Sequence, residues 1–171
     1  MEPIERCVKE FDAESYTTIN GRYGLMNKDR TAMFISDYKP DDLEVQTDLF
    51  SKKSMRETLK KLDKSVNVDP DFLKAFLDAC FKITRRPIVR LSAKRISLYY
   101  NEYPITLDLI LDKYADDKTY VYFDATLIKP AIRLLRKVGN VMFMWRGKES
   151  VILMDIDAEY SILIAPYLVD V

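Results

Sequence analysis

The stretch that decides the fold is residues 66–82, VNVDPDFLKAFLDACFK, whose pattern returns at residues 121–137 as VYFDATLIKPAIRLLRK. Asp69 aligns with Asp124, at an offset of 55 residues. Three short apolar runs follow each copy, so each copy predicts one strand, one helix and three further strands. Repeated units of this kind usually build an extended surface rather than a single pocket.

The repeat divides the chain into two segments. Residues 65–171 are expected to form one domain of two βαβββ units, at residues 65–113 and 119–168. Residues 1–64 are interpreted as a strand-rich segment followed by a basic helix, and as a degenerate third unit. The predicted fold class is α+β, with antiparallel sheets and with the helices on one face.

The first 64 residues predict a short helix over residues 3–14, with Ile4, Val8 and Phe11 on its apolar face. Four strand candidates follow, separated by turn residues: Tyr16–Ile19, Tyr23–Met26, Ala32–Ile35 and Leu43–Leu49. Residues 51–64 then predict a basic helix capped at Ser54, whose narrow apolar stripe consists of Met55, Leu59 and Leu62.

The composition is that of a soluble globular domain, with 48% hydrophobic and 32% charged residues in a chain of 171. No apolar run approaches the roughly 18 residues of a membrane span, and the N-terminus has no signal-peptide pattern. Cys7 and Cys80 are the only cysteines and have no CxxC spacing, which favours a reducing compartment over a disulfide. We therefore expect an intracellular protein.

The net charge of zero conceals a segregation of charge along the chain. Residues 1–50 carry a net charge of −5, residues 51–100 carry +8, and residues 101–171 carry −3. Such segregation favours a polyanionic partner for the middle segment. The alternative is an ordinary solvated surface of mixed charge.

The second repeated helix, predicted as an α-helix over residues 126–138, has its basic side chains on one face. At about 100° per residue they fall within an arc of roughly 100°, opposite the apolar side chains: Lys129, Arg133, Arg136 and Lys137. No acidic residue lies on this face, and four like charges repel one another. A row of phosphates would relieve that repulsion and release counterions. A merely solvated basic face is the alternative interpretation.

The first repeated helix is expected to begin at Asp69 as its cap, with Pro70 in its first turn. Its predicted buried side consists of Phe72, Phe76, Ala79, Cys80 and Ile83. Its outer side carries one acid among its bases: Lys74, Asp78 and Lys82. Arg85 and Arg86 extend the basic character past the end of this helix.

The residues needed for common catalytic chemistry are largely missing. The chain has no histidine and no phosphate-binding loop. Asp116 and Asp117, like Asp155 and Asp157, occur where turns are predicted, and turn aspartates are common without a metal. We therefore expect no enzymatic activity, no metal and no cofactor. Carboxylate chemistry at Asp155 and Asp157 is the weakest of the alternatives.

The repeated unit resembles the DNA sliding clamp superfamily, which includes the proliferating cell nuclear antigen and the bacterial polymerase β clamp. Residues 120–137, YVYFDATLIKPAIRLLRK, are similar to the last strand and helix of that family. Residues 160–171, YSILIAPYLVDV, resemble its closing strand, which ends in an apolar run and Ala-Pro. Residues 23–43, YGLMNKDRTAMFISDYKPDDL, are similar to the early strands of the nuclear-antigen type.

The resemblance implies a non-enzymatic processivity factor that holds duplex DNA without reading its sequence and recruits a DNA polymerase or other replication proteins. The implied phosphate contacts are Lys129, Arg133, Arg136, Lys137, Lys74, Lys82, Arg85 and Arg86. A hydrophobic partner peptide would bind near the closing strand, at Leu163, Ile164, Ala165 and Pro166. Strand pairing between subunits would close a homo-oligomeric ring. The alternative function is a clamp-fold interaction adaptor that does not encircle DNA.

Overall fold

The structure is a computed structural model that describes residues 2–45, 52–99 and 107–169. The segment before the repeats contains two helices and four strands: α1 (Pro3–Phe11), β1 (Ala13–Ile19), β2 (Arg22–Asn27), β3 (Ala32–Ser36), β4 (Glu44–Val45) and α2 (Lys52–Lys60). Of the strand predicted at Leu43–Leu49, β4 is the described part, and residues 46–49 lie outside the described residues. Ser54 does not cap α2, because this helix already begins at Lys52.

Both repeats fold as one strand, one helical segment and three strands. The first consists of β5 (Lys64–Val68), α3 (Pro70–Ile83), β6 (Ile88–Ser92), β7 (Arg95–Tyr99) and β8 (Asp108–Ile110). The second consists of β9 (Tyr120–Asp124), two 3₁₀ helices η1 (Ala125–Leu127) and η2 (Lys129–Leu135), β10 (Val141–Trp145), β11 (Ile152–Ile156) and β12 (Tyr160–Ile164). The predicted α+β class with repeated βαβββ units is thereby confirmed.

The two repeats exchange their first strands. β5 of the first repeat pairs antiparallel with β10 of the second, and β9 of the second repeat pairs antiparallel with β6 of the first. The result is two sheets, with strand orders β4-β1-β2-β3-β12-β11-β10-β5 and β8-β7-β6-β9. Because each sheet contains strands from both repeats, neither repeat completes a sheet by itself.

The longer sheet continues from the second repeat into the N-terminal segment. β12 pairs antiparallel with β3, so that Ile162 lies opposite Phe34 and Leu163 lies opposite Met33. Successive side chains of a strand point to opposite faces. Ile162 and Phe34 accordingly enter the main core, whereas Leu163 and Met33 belong to a second apolar cluster.

The two faces of this sheet are covered by different helices. α1 and η2 pack beside each other, and η2 also contacts α3. The main core beneath them includes Phe11 from α1, Phe76 from α3 and Leu135 from η2. α2 packs with Met33 through Met55 in the second cluster, so it lies on the opposite face of the sheet. None of the helices in the described ranges is long and apolar enough to cross a membrane.

Both repeated helical segments begin at an aspartate, Asp69 as predicted and Asp124 at the aligned position of the second repeat. The Asp69 carboxylate accepts hydrogen bonds from the backbone N–H groups of Asp71 (2.9 Å) and Phe72 (3.2 Å). The Asp124 carboxylate accepts one from the N–H of Thr126 (3.0 Å). Each cap satisfies N–H groups that have no partner within the helix, which explains the shared aspartate of the repeat.

The second helical segment differs from the α-helix predicted over residues 126–138. It is a pair of 3₁₀ helices that ends at Leu135. Arg136 is extended, and Lys137 has a left-handed φ of 64°. Pro130 supplies the physical reason, because it has no N–H to bond the carbonyl four residues earlier and is tolerated only in a first turn.

The buried side of α3 also differs from the prediction. Phe76 and Cys80 are buried as expected, but Phe72 and Ile83 keep 64% and 44% of their surface exposed. Two leucines that the prediction omitted, Leu73 and Leu77, are fully buried instead. The core-facing stripe of α3 is therefore rotated by roughly one residue from the predicted stripe.

The Phe34 ring joins the N-terminal segment to the second repeat. Its ring centroid lies 6.1 Å from that of Phe11 and 5.9 Å from that of Tyr160, and its side chain is fully buried. Phe34→Ala is expected to lower the free energy of unfolding by about 3–5 kcal/mol, because removal of the ring leaves a cavity in a packed core. Urea denaturation followed by the fluorescence of Trp145, the only tryptophan, measures this effect within the second repeat.

The matched control for Phe34→Ala is Leu168→Ala, because Leu168 is 64% exposed and its truncation should change stability by less than about 0.5 kcal/mol. Phe34→Ala could leave the urea midpoint of the Trp145 fluorescence unchanged while the far-UV circular dichroism signal decreases at lower urea concentrations. The N-terminal segment would then unfold separately. That result would contradict the coupling through β3 and β12.

Both cysteines are free and fully buried in the main core. Burial raises the pKa of the Cys7 and Cys80 thiols from 9.0 to about 12. The unfolded chain therefore loses these protons first, so stability should fall as pH rises from about 9 towards 12. Urea midpoints at pH 8 and pH 10.5 measure the fall, which should be smaller in a Cys7→Ala/Cys80→Ala variant. Equal falls in the two proteins would contradict the assignment.

Candidate nucleic-acid interface and apolar pocket

A groove runs between α1, α3 and η2 on the helix-covered face. Six basic side chains line it: Arg6, Lys74, Lys82, Lys129, Arg133 and Arg136. Two acidic side chains, Glu10 and Asp78, line it as well. The groove therefore has a net charge of +4, although the whole chain is neutral.

Both acids of the groove are engaged in ion pairs. The Asp78 carboxylate lies 2.7 Å from the Lys74 ammonium, one turn earlier in α3. The Glu10 carboxylate of α1 lies 2.5 Å from the guanidinium of Arg133 in η2. The second pair crosses between two helices, so it positions α1 against η2 as well as neutralising one positive charge.

The other four basic residues of the groove form no ion pair with any residue that the structure describes: Arg6, Lys82, Lys129 and Arg136. All four are exposed. The Lys129 ammonium lies 4.9 Å from the centre of the Phe81 ring, in a cation–π contact that leaves its charge uncompensated. The excess positive charge of the groove therefore resides on side chains that face solvent.

Five of the eight predicted phosphate contacts come together in this groove: Lys74, Lys82, Lys129, Arg133 and Arg136. Lys74 and Lys129 occupy equivalent places in the two repeats, so the repeat itself brings them together. The remaining three predicted contacts are exposed but do not line the groove: Arg85, Arg86 and Lys137.

Arg86 is oriented by an ion pair instead. Its Nε atom donates to the Asp124 carboxylate at 2.6 Å, and this hydrogen bond together with the negative charge raises the pKa of the Arg86 guanidinium above its usual value. The same carboxylate caps η1 through Thr126. Arg86 therefore ties the end of the first repeated helix to the start of the second.

Sequence reasoning missed Arg6 and Glu10, because the search for a basic face was confined to the two repeats. The signal was present in the spacing of α1: Pro3, Arg6 and Glu10 are separated by three and four residues and thus share one face of a helix. That this face meets η2 follows only from the packing of α1 beside η2.

An apolar pocket lies where α2 packs near the β3–β12 boundary. Its apolar walls come from Met26 and Met33 of the N-terminal strands, Met55 and Leu59 of α2, and Leu163 of β12. Three of the four residues predicted to bind a partner peptide line this pocket: Leu163, Ile164 and Ala165. Pro166 lines a neighbouring polar pocket with Arg86 and Asp124.

The chain that follows β12 is held in place by two backbone hydrogen bonds. The Ala165 N–H donates to the Thr31 carbonyl at 2.8 Å, and the Tyr167 N–H donates to the Tyr122 carbonyl at 2.7 Å. This segment therefore connects the residue that precedes β3 with β9, and β3 and β9 belong to different sheets. The rim of the apolar pocket is positioned by backbone contacts rather than by side chains alone.

Three of the four aspartates that the sequence offered as weak metal candidates accept hydrogen bonds in the structure: Asp116, Asp117 and Asp155. The Asp117 carboxylate accepts hydrogen bonds from Ser92 (2.5 Å) and Arg90 (2.8 Å). Burial alone would raise the pKa of Asp117, but these bonds outweigh it and lower that pKa. Asp155 accepts from the Ser161 hydroxyl at 3.2 Å. No cluster of three potential metal ligands occurs in the part of the chain that the structure describes.

Comparison with known proteins relates this geometry to one fold. No protein-family model matches the sequence, and no curated protein matches it. Among solved structures, the DNA polymerase sliding clamp of Caulobacter crescentus superposes with a TM-score of 0.63 at 13% sequence identity. That alignment covers 98% of this chain and 64% of the Caulobacter chain.

Two further structures extend the similarity to both types of clamp. The Thermococcus kodakaraensis PCNA superposes with a TM-score of 0.54 at 12% identity, covering 98% of each chain. The Helicobacter pylori beta clamp, solved bound to a DNA ligase peptide, superposes with a TM-score of 0.54 at 10% identity. It matches 86% of this chain over 40% of its own length. The chain therefore has a sliding-clamp-like fold, and it spans less than two thirds of the bacterial clamp chains.

Proposed function

We propose that this chain is a non-enzymatic, sliding-clamp-like processivity factor that holds duplex DNA against its helix-covered face and recruits replication proteins through its apolar pocket. The observation that carries the proposal is the groove between α1, α3 and η2. Three separate elements bring six basic side chains to one surface, and the two acids among them are already paired.

The charge of the groove suits a phosphate backbone better than a small anion. The four unpaired basic residues come from α1, α3 and η2 or its C-terminal end, so they are spread along the groove rather than gathered at one point. Long, exposed Lys and Arg side chains bind phosphates without selecting a base sequence. Binding would then depend on salt, because each phosphate that is neutralised releases condensed counterions.

Charge reversal at Lys82 and Arg136 tests the DNA-binding proposal. Four phosphate contacts predict a slope of log K against log salt of roughly −3.6, and removal of two contacts reduces it to roughly −1.8. Lys82→Glu/Arg136→Glu should accordingly weaken binding to a labelled 30-base-pair duplex at least tenfold. The measurement is fluorescence anisotropy from 50 to 200 mM salt.

The matched control for charge reversal is Lys39→Glu/Lys148→Glu, which changes the net charge equally at two exposed lysines outside the groove. It should retain most of the wild-type affinity. Equal losses in the two double variants would show that only net charge matters and would contradict a binding groove. Absence of duplex binding by the wild type at 50 mM salt would also contradict a binding groove.

The apolar pocket supports the second half of the proposal. Methionine and leucine side chains from four elements line it, and flexible methionines adapt to apolar ligands. Since the Helicobacter pylori clamp was solved with a DNA ligase peptide, that peptide is a suitable probe. We propose that a hydrophobic segment of a replication protein binds between α2 and the end of β12.

Introduction of a charged side chain on the wall of the apolar pocket tests peptide recruitment. Leu163→Glu should weaken binding of the labelled Helicobacter pylori DNA ligase peptide at least tenfold, because an unpaired carboxylate on an apolar wall must be desolvated. Fluorescence anisotropy at fixed salt measures the affinity. Leu168→Glu is the control, since Leu168 is exposed and does not line the pocket. Equal affinity of wild type and Leu163→Glu would contradict the proposed site.

We also propose that copies of the chain assemble into a ring that retains DNA. The alternative is an interaction adaptor that keeps the apolar pocket but does not encircle DNA, and the pocket on the face opposite the groove favours it as a second candidate. Peptide binding without any DNA binding would select the adaptor, whereas binding of both ligands would select the processivity factor.

A further inference from the structure

Among the described residues that line the apolar pocket, one is charged: Arg30, in the turn between β2 and β3. Its side chain is exposed and forms no ion pair with any residue that the structure describes. The other lining residues are apolar, apart from two threonines. A ligand that fills this pocket therefore meets an uncompensated positive charge at the rim.

The backbone on either side of Arg30 is held by Asn27. The Asn27 side-chain oxygen accepts hydrogen bonds from the N–H groups of Thr31 (2.8 Å) and Ala32 (3.1 Å), and its amide donates to the Thr31 hydroxyl at 2.9 Å. Arg30 itself has a left-handed φ of 56°, which is uncommon outside glycine. Such a conformation persists because the surrounding contacts enforce it. The turn therefore fixes where the Arg30 side chain leaves the backbone.

The charges next to Arg30 along the chain are engaged elsewhere. The Lys28 ammonium lies 2.9 Å from the Asp12 carboxylate. Asp29 lines the neighbouring polar pocket, which also contains Arg86. The acid that is adjacent in sequence thus shares a pocket with a different arginine, so Arg30 keeps its positive charge available at the rim of the apolar pocket.

The wall that α2 contributes to the pocket is bordered by further positive charge. α2 carries four basic residues and one acid, Glu57. At about 100° per residue, Arg56 lies about 60° from Leu59 of the pocket wall, whereas Glu57 lies about 160° from Leu59. Arg56 and Lys60 are exposed and form no ion pair with other residues in the described ranges. Excess positive charge therefore lies beside two different walls of the pocket.

The interior of the pocket argues against a nucleic acid as its ligand. Single strands bind through aromatic side chains on which their bases stack, and no aromatic residue is among the described residues that line the pocket. Its walls are methionine, leucine and valine side chains instead, which suit the apolar side chains of a peptide. The positive rim then favours negative charge on the same peptide.

We propose that the apolar pocket selects protein segments whose apolar anchor residues are flanked by aspartate or glutamate, and that Arg30 is the residue that recognises such an acid. An arginine can bind a carboxylate through two parallel hydrogen bonds. The exposed basic residues of α2 attract further acids on the other side of the anchor. A segment with lysine or arginine in these places is repelled, so the rim distinguishes between partners that fit the apolar interior equally well.

Three labelled peptides of equal length test this selection. They share the central sequence Leu-Leu-Phe and differ only in the flanks, which are three aspartates, three serines or three lysines on each side. Fluorescence anisotropy at about 50 mM salt should give the aspartate peptide at least tenfold higher affinity than the lysine peptide, because like charges across an interface are costly. The difference should shrink at about 300 mM salt, since exposed charges are screened. Equal affinities for these two peptides would overturn the proposal.

Arg30→Glu tests whether one residue carries the selection. It should lower the affinity for the aspartate peptide about fivefold, the upper end for an exposed ion pair, and leave the affinity for the serine peptide within about twofold. Arg30→Lys should still prefer aspartate over lysine, since the charge is retained. Folding is expected to persist, because the Arg30 side chain is exposed.

The matched control for Arg30→Glu is Lys39→Glu, which makes the same change of charge at an exposed lysine outside the pocket. It should preserve the preference for the aspartate peptide. Equal losses in the two variants would reduce the effect to net charge and would overturn the role of Arg30. An unchanged preference in Arg30→Glu would overturn it as well. Loss of aspartate-peptide binding in Lys82→Glu/Arg136→Glu would place that peptide in the basic groove and contradict the proposal.

This inference rests on the proposed recruitment of partners through the apolar pocket, and the serine peptide separates the two. If the serine peptide binds and is weakened by Leu163→Glu, but the flanks make no difference, the pocket stands and the selection fails. If the aspartate peptide responds to Arg30→Glu but not to Leu163→Glu, acid recognition stands and the apolar site fails. If none of the three peptides binds, both fail. A DNA single strand that displaces the aspartate peptide as effectively as unlabelled peptide does would also overturn the selection of a peptide.

Discussion

The exchange of first strands between the two repeats is the constraint on which the rest of the structure depends. β5 completes the sheet of the second repeat, and β9 completes that of the first. Each helical segment starts within two residues of such an exchanged strand, at an aspartate cap. The strands therefore position α3 and η2 beside each other. Without the exchange, the basic residues of the two helices would belong to separate surfaces.

The helix-covered face and the opposite face of the longer sheet differ in chemical character because side chains alternate along each strand. Phe34 and Ile162 enter the core beneath the helices, whereas Met33 and Leu163 line the pocket under α2. A single register between β3 and β12 thus places a charged groove and an apolar pocket on opposite sides of one sheet. A slip of one residue would exchange these two sets of side chains.

Particular residues explain which features of the fold are readable from the sequence and which are not. The sequence predicted the Asp69 cap and aligned Asp124 with it, and hydrophobic periodicity predicted the strands, because these signals are local. The α-helical prediction over residues 126–138 failed at Pro130, whose missing N–H outweighs the amphipathic pattern around it. Periodicity also assigned Phe72 and Ile83 to the core, because it detects apolar character but not which apolar side a neighbouring element covers.

The sequence by itself determined the βαβββ repeat, the Asp69 cap and the concentration of positive charge in the helices, since each of these depends on residues that are close along the chain. Only the tertiary structure decided that Arg6 and Glu10 join the groove, that α2 covers the apolar pocket, and that β8 lies at the edge of the shorter sheet in the described part of the chain. These three features depend on which elements meet in space. Contacts between residues far apart in sequence leave no periodic pattern in either partner.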